Sequence, residues 1–323
     1  MSRAPTTGCL QYLDPSVESS LYRNGRVFTR RDADGSDTRW EGAVFSPKNL
    51  QIHDARGFVT PPTLRDNGFE RLTAPGPADL DFFDHAQVVR RYYPHCARVI
   101  AEAVGATDVV AFDHNVRSAT GKKNKQQINQ GQQVQGPAHV AHGDYTLRSG
   151  PERLVRLTRP PTGNDTLRLL GDSDEPVLDP ERVALALDGK RRFAIVNLWR
   201  SIAAEPVATN PLALCDARTV EPDELVVFEI HYRDRIGENY FCKHAERHRW
   251  SYYPAMRADE ALLIKQWDSA GTLARSRGKR SDAADPTAPC TFSLHSAFED
   301  PGAPPDAPDR WSIEVRCAVL YDD

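Results

Sequence analysis

Apolar positions in this chain change their period several times, and each change marks an element. From Asp84 to about Val104, the residues Val88, Val89, Tyr92, Tyr93, Cys96, Val99, Ile100 and Val104 recur at helical spacing. Pro94 interrupts that run. It has no amide hydrogen to donate, so a kink or a helix start is expected beside it. VVAFDHNVR (109–117) then reads as a strand. The stretch that follows, SATGKKNKQQINQGQQVQGPA (118–138), is polar and too poor in apolar residues to pack a core. It reads as a mobile loop of lid length, although a plain surface excursion fits the same composition.

The second half is strand-rich. RFAIVNLWR (191–199), ELVVFEIHY (224–232), RWSYYPA (249–255), EALLIKQW (260–267), CTFSLHSAF (290–298) and RWSIEVRCAVLY (310–321) are all β-like, with turn residues between them. A series of strands after one long helix predicts a helix packed on a β-barrel or sandwich core. Residues 1–80 mix short apolar runs with turn-rich polar segments such as RRDADGSDTRWEG, and read as irregular structure with a few strands. No glycine-rich strand-to-helix turn and no P-loop occurs, which argues against a nucleotide-binding α/β fold.

Composition narrows the function classes. Of 323 residues, 40% are hydrophobic and 27% charged, so the chain can bury a core and is not wholly disordered. Lysine plus arginine total 41 against 45 acidic residues. No basic excess marks a nucleic-acid partner. The longest apolar runs, such as Leu225–Phe228, are far too short to span a membrane. The N-terminal MSRAPTTGCLQYLDPS has no apolar secretory stretch, so a cytoplasmic location is expected. Cys9, Cys96, Cys215, Cys242, Cys290 and Cys317 are scattered, without a CxxC pair, and are expected as reduced, mostly buried thiols.

Chemistry concentrates at AHVAHGDYT. His142 and Asp144 stand two apart, and in a strand such residues point to the same side, so imidazole and carboxylate can converge on one ion. A third ligand has to come from another strand, and His295 in CTFSLHSAF is the best placed. Two histidines and one carboxylate on one face of a metal leave positions open, the facial triad of non-haem Fe(II) oxygenases. The plainer account is a hydrogen-bonded His142 beside Asp144, with His295 a core histidine.

The strand after His295 bears on that choice. In RWSIEVRCAVLY, Trp311, Ile313, Val315, Cys317 and Val319 form one face, and Arg310, Ser312, Glu314 and Arg316 form the other. The polar face is either solvated or the lining of a barrel. In a barrel a guanidinium can grip a carboxylate through two parallel hydrogen bonds. Arg310 with Ser312 suits the far carboxylate of 2-oxoglutarate, with Arg316 in reserve.

The ordered blocks FDHNVR (112–117), HGDYT (142–146), NLWRSI (197–202), PLALCDARTV (211–220), WSYYPAM (250–256), DEALLIKQWDS (259–269), HSAFEDP (295–301) and RWSIEVR (310–316) resemble a family of bacterial and fungal hydroxylases/desaturases. It includes gibberellin-desaturase-like proteins and the cephalosporin 7-alpha-hydroxylase component of cephamycin pathways. The resemblance runs from about Tyr92 to Tyr321. It implies an α+β, mainly β fold: a double-stranded β-helix (jelly-roll, cupin-like) with flanking helices. The expected layout is one oxygenase domain over 1–323. Residues 1–83 are an N-terminal extension packing on the core, 84–105 a helix, and 109–321 the β-helix with the insert 118–138.

The resemblance also implies Fe(II), 2-oxoglutarate and O2. His142, Asp144 and His295 match the iron-ligand positions, and Arg310 and Ser312 match the element that binds 2-oxoglutarate. The expected reaction is hydroxylation, desaturation or oxidative cyclisation at an unactivated C–H bond of a small metabolite in secondary metabolism. Arg117, Arg200 and Arg316 favour an anionic one. The glutamine-rich insert (Lys122–Gln135) and His139 depart from the family pattern and put the lid in question. Two rival functions are an iron oxygenase that needs no oxoacid and a metal-free β-barrel that binds a small molecule.

Other residues carry two readings. Asn197, Trp199, Trp250 and Tyr252 are candidates for the pocket wall or for the core, and Arg117 and Arg200 for a substrate clamp or a surface charge. Asp113 and His114 are adjacent in a strand and face opposite sides. His139, three before His142, is expected as a loop or packing residue. His244 and His248 lack the glutamate of a zinc-protease helix, since Ala245 follows the first, and are expected in a solvated loop.

Overall fold

The β-branched and aromatic runs of the chain form fourteen strands, seen in a computed structural model that describes residues 4–31, 39–161, 165–167 and 175–322. They are β1 (Thr6–Leu13), β2 (Phe28–Arg30), β3 (Phe45–Asp54), β4 (Phe69–Thr73), β5 (Asp108–Arg117), β6 (His142–Gly143) and β7 (Phe193–Ser201). Then come β8 (Leu212–Cys215), β9 (Leu225–His231), β10 (Ile236–Cys242), β11 (Trp250–Tyr252), β12 (Glu260–Asp268), β13 (His295–Ala297) and β14 (Ser312–Leu320). The helices are α1 (His85–Gln87), α2 (Tyr93–Val104), α3 (Ala119–Lys123), α4 (Ser149–Leu157), α5 (Pro180–Leu187) and α6 (Thr272–Arg275).

Two sheets result, a larger one in the order β1-β3-β11-β8-β13-β6-β10-β9-β2 and a smaller one in the order β4-β12-β7-β14-β5. From β5 to β8 each strand crosses to the opposite sheet, and the chain does so again from β11 through β14. Residues from the two sheets therefore meet across the space between them. The first 83 residues supply β1 to β4 and extend both sheets at their edges. The strands β8, β10 and the N-terminal edge strands β1, β2 and β4 lay in segments whose patterning was too short or too polar to single them out.

The smaller sheet explains the near-continuous apolar reading of its central strands, since all nine residues of both β7 and β12 are buried. Its outer face carries Val196, Leu198, Ile313, Val315, Cys317 and Val319 and is covered by Tyr92, Tyr93, Cys96 and Ile100 of the helical segment. That segment is not one regular helix. Val88–Tyr92 form a π turn, and α2 starts at Tyr93 with Pro94 in its first turn, where the missing amide costs nothing. Gly105, at φ +67°, closes it in the left-handed conformation.

The polar insert is folded, contrary to the mobile loop expected from its composition. Ser118 caps α3 by accepting from the Gly121 amide, and Ile128 and Val134 are buried in the core beneath α2. The Gln135 amide donates to Val116 O (3.0 Å) and the Ser118 amide to Gln135 O (2.9 Å), so the insert returns along β5. Two buried apolar side chains and a backbone ladder are enough to fix a run whose other residues are mostly polar. Five of the six cysteines are buried, Cys9 is exposed, and all six are free. No helix among the described residues is long and apolar enough to cross a membrane.

Candidate metal centre and its pocket

Strand register brings the three proposed ligands together. His295 of β13 is the direct partner of His142 in β6, with Leu214 of β8 on its other side. The two rings lie 4.3 Å apart between centroids. Asp144 follows β6, and its Oδ1 is 3.7 Å from His142 Nε2 and 4.0 Å from His295 Nε2. All three side chains are buried. His142 Nδ1 lies 2.7 Å from the Val140 carbonyl, which can only accept, so Nδ1 carries the hydrogen and Nε2 keeps its lone pair. Burial pushes the His142 imidazole down to about 4, and burial likewise lowers His295, so both rings are neutral near pH 7.

Asp144 is held from three directions. Its Oδ2 accepts from Arg316 Nε (3.1 Å) and from Asn197 Nδ2 (2.9 Å). Its amide donates to Gln266 Oε1 (3.0 Å). Burial alone would raise this carboxyl, but Arg316, the two histidines and the Asn197 amide outweigh it and hold it well below the usual carboxylate range. Gln266 reaches the site because β12 bulges there: Lys265 pairs with Val196 and Trp267 with Ile195, leaving Gln266 as the extra residue. Sequence reasoning missed Gln266, and the signal was an amide inside an otherwise buried strand.

Arg316 is therefore not a spare co-substrate anchor. Its guanidinium donates to Asp144, to Asp113 Oδ2 (3.1 Å) and to Glu314 Oε1 (3.1 Å), so three carboxylates occupy it. Of the two readings of the polar face, the inward one holds: Glu314 of β14 and Arg310 just before it line the pocket beside the histidines. The space, about 300 Å³ including its mouth, is walled by Arg117, Ala138, His142, Trp199, Leu212, His295, Ala297, Arg310 and Glu314. Glu314 was not singled out as a site residue. Burial raises its carboxyl, against the nearby Arg316.

Arg310 and Ser312 carry free donors into this region. Arg310 is 3% exposed, its Nη1 donates to the Asn210 carbonyl, and its Nε has no partner. Ser312 is 1% exposed and its Oγ has no partner. Unpaired buried polar groups are costly, and a bound carboxylate would satisfy both.

Three of the remaining pocket candidates face elsewhere. Asn197 does face inward, but it grips Asp144. Arg200 follows Trp199 on β7 and so points to the opposite side, where its Nη1 donates to Ala258 O (3.1 Å) and its guanidinium lies 5.6 Å from the Tyr92 ring. Tyr252 pairs with Ala213 on the outer face of the larger sheet and packs edge-on against Phe298. Trp250 shares that face and donates to Tyr12 Oη (2.7 Å). Arg117 and Trp199 do line the pocket. As expected, Asp113 and His114 diverge, Asp113 to Arg316 and His114 to the Tyr93 hydroxyl (2.8 Å). His139 is a half-buried loop residue whose carbonyl accepts from the Gln11 amide (3.1 Å).

Among the described residues a second group could hold an ion, Glu224, Cys242 and His248. There His248 Nε2 already meets Glu224 Oε2 (3.0 Å) and Nδ1 meets Tyr12 Oη (3.0 Å), so both ring nitrogens are satisfied within the protein. His248 is thus buried in a closed chain of hydrogen bonds and not in the solvated loop expected for HAERH.

Comparison with known proteins agrees with this architecture. A family model described as an oxidoreductase/YMDC permease-like domain matches residues 10–170 and 176–320. The chain is 30% identical to the Fe(II)/2-oxoglutarate-dependent dioxygenase nvfI of Aspergillus novofumigatus, over 85% of this chain and 84% of that one. It is 43% identical to an uncharacterised protein of the dcmA 3′ region of Methylophilus leisingeri, over 60% of this chain and 89% of that one. Among solved structures, the iron and alpha-ketoglutarate-dependent endoperoxidase NvfI superposes with a TM-score of 0.72 at 24% identity, covering 99% of each chain.

Proposed function

Because the chain matches the oxidoreductase/YMDC permease-like family model and belongs to the Fe(II)/2-oxoglutarate-dependent oxygenases, we propose that His142, Asp144 and His295 hold its iron. We read residues 1–323 as a single oxygenase domain. The strands that alternate between the two sheets from β5 to β8, and again from β11 to β14, suit a double-stranded β-helix with flanking helices. The donor set is right for Fe(II): two neutral imidazoles and one carboxylate oxygen on one side, with the pocket on the other. Arg310 and Ser312, with their unpartnered Nε and Oγ, fit the far carboxylate of 2-oxoglutarate. Those orphaned donors, Arg310 in the pocket wall and Ser312 paired with Arg117 of that wall, are the observation that favours an oxoacid-dependent enzyme. In an oxoacid-independent oxygenase Arg310 would be a substrate clamp instead, and succinate formation separates the two readings.

Bound iron, with 2-oxoglutarate and O2, would supply the oxidising power to break an unactivated C–H bond, the oxoacid being consumed to succinate and CO2. The protein's share is placement. Arg316 and Asn197 tie down Asp144 Oδ2 and leave Oδ1 facing the two imidazoles. The Val140 carbonyl fixes the ring of His142. Trp199, Leu212, Ala138 and Ala297 give the pocket an apolar lining that keeps water from the reacting centre. The substrate in this reading is a small metabolite of secondary metabolism, acted on in the cytoplasm, and the reaction is hydroxylation, desaturation or oxidative cyclisation. Succinate formation from 2-oxoglutarate, dependent on both Fe(II) and O2, tests the proposal. It should be measurable with wild type and absent with His142→Ala. Succinate formed at the same rate by both would overturn it.

A further inference from the structure

Two guanidiniums in the pocket have no acid to neutralise them. Among the described residues neither Arg117 nor Arg310 forms an ion pair. Arg117 Nη1 donates to Gly136 O (2.9 Å) and Arg310 Nη1 to the Asn210 carbonyl. Both line the same space. Glu314, the acid that lines this space with them, is already bound by Arg316.

Their positions differ in depth. Arg117 is the cross-strand partner of Ser312, so the two side chains stand side by side on the inner face of the smaller sheet. The Arg117 charge reaches His142, His295 and Arg310, and Arg310 also has Asp309 and Glu314 nearby. Arg117 thus lies within electrostatic reach of both the histidines and Arg310. Burial lowers Arg117, and burial together with the Arg117 charge pulls Arg310 down to about 9. A ligand with two carboxylates supplies one for each cation.

We propose that Arg117 is a second anion anchor of the co-substrate pocket, holding the carboxylate at the oxoacid end of 2-oxoglutarate while Arg310 and Ser312 hold the far one. The assignment rests on the co-substrate reading above and adds a residue and a binding mode to it.

Calorimetric titration of the Mn(II)-loaded protein, with no turnover required, separates the arms. The two ligands are 2-oxoglutarate and 2-oxopentanoate, which keeps the oxoacid end and lacks the far carboxylate. Arg117→Met is expected to weaken both by the same factor, about tenfold to a hundredfold, and so to keep the wild-type preference for 2-oxoglutarate. Arg310→Met should weaken 2-oxoglutarate alone and abolish that preference. If Arg117→Met binds both ligands like wild type, Arg117 serves the substrate or the fold and the proposal fails. If it loses the preference, Arg117 grips the far carboxylate and the proposal fails in its assignment. A wild type that binds neither ligand overturns the co-substrate reading and the proposal together. Should Arg117→Met fail to fold, Arg117→Gln and Arg117→Lys carry the same comparison, because the ratio of the two affinities decides it.

Discussion

Arg316 Nε lies 3.1 Å from Asp144 Oδ2, an oxygen that also accepts from Asn197 Nδ2 at 2.9 Å. The carboxylate is therefore fixed before any ion arrives, with Oδ1 turned toward both imidazoles. Groups that orient a metal ligand typically matter by about tenfold to a hundredfold in metal affinity. Arg316→Met should weaken Co(II) binding by about that factor, and Arg316→Lys should recover part of the loss. The same change strips the counter-charge from Asp113, Asp144 and Glu314, so a stability loss of about 3–5 kcal/mol should accompany it in chemical denaturation. Unchanged Co(II) affinity in a folded Arg316→Met protein would remove Arg316 from the positioning role.

Gln266 offers a milder version of the same test. Gln266→Leu leaves the Asp144 amide without its acceptor inside a buried site, at a cost of about 1–3 kcal/mol. Denaturation and metal titration should both register it, while a surface substitution such as Lys123→Ala should register in neither.

Arg310→Ala should raise the KM for 2-oxoglutarate by about tenfold or more, with a much smaller effect on kcat under saturating co-substrate. Ser312→Ala should act in the same direction and less strongly. A KM within twofold of wild type in Arg310→Ala would send the search for the far anchor back to Arg117.

Arg200 and Trp199 adjoin each other in β7 and face opposite sides, so they should behave differently. Arg200→Met is expected to leave 2-oxoglutarate and metal affinity within about twofold while lowering the melting temperature, since the guanidinium packs over Tyr92 beneath the helix. Trp199→Ala is expected to change turnover. A loss of co-substrate affinity in Arg200→Met would contradict its outward placement.

How far the site could be read from the chain follows from the kind of relationship each residue needs. His142 and Asp144 stood out because their spacing alone puts them on one side, and the alternation of RWSIEVR separated the inward arginines and Ser312 from the apolar face. The same alternation, applied to NLWRSI, was enough to exclude Arg200 once Trp199 was placed inside. Tyr252 and Trp250 could not be assigned, because which face of β11 is inner depends on its pairing with β8 and β3. Arg316 looked like a free cation because its three acids come from β5, from β14 itself and from the loop after β6, and only the register brings Asp113 and Asp144 to it. Gln266 depended on a bulge, which leaves no period to detect. The insert misled because Ile128 and Val134 are too few to change its composition and yet enough to anchor it.

The pH response of the fold has a specific source in His114. Burial pushes its imidazole from 6.5 down to about 4, with the Tyr93 hydroxyl on Nδ1. A depressed histidine stabilises the fold fully above pH 6.5, and that contribution is lost as pH falls toward 4, because the unfolded chain takes up the proton first. Between those limits wild type should lose about 2–3 kcal/mol more than His114→Gln, measured by denaturation at each pH. Equal slopes for the two proteins would place the response elsewhere.

The central claim is an Fe(II) and 2-oxoglutarate pair held by His142, Asp144, His295 and Arg310. Its most direct test is anaerobic: Fe(II) and 2-oxoglutarate are added to the metal-free protein and the weak visible charge-transfer band of the Fe(II)–oxoacid chelate is recorded. Wild type should show the band. His295→Ala should lose it, and Arg310→Ala should show it only at much higher 2-oxoglutarate. Iron bound without a band would contradict the oxoacid, and no iron bound at all would contradict the metal centre itself.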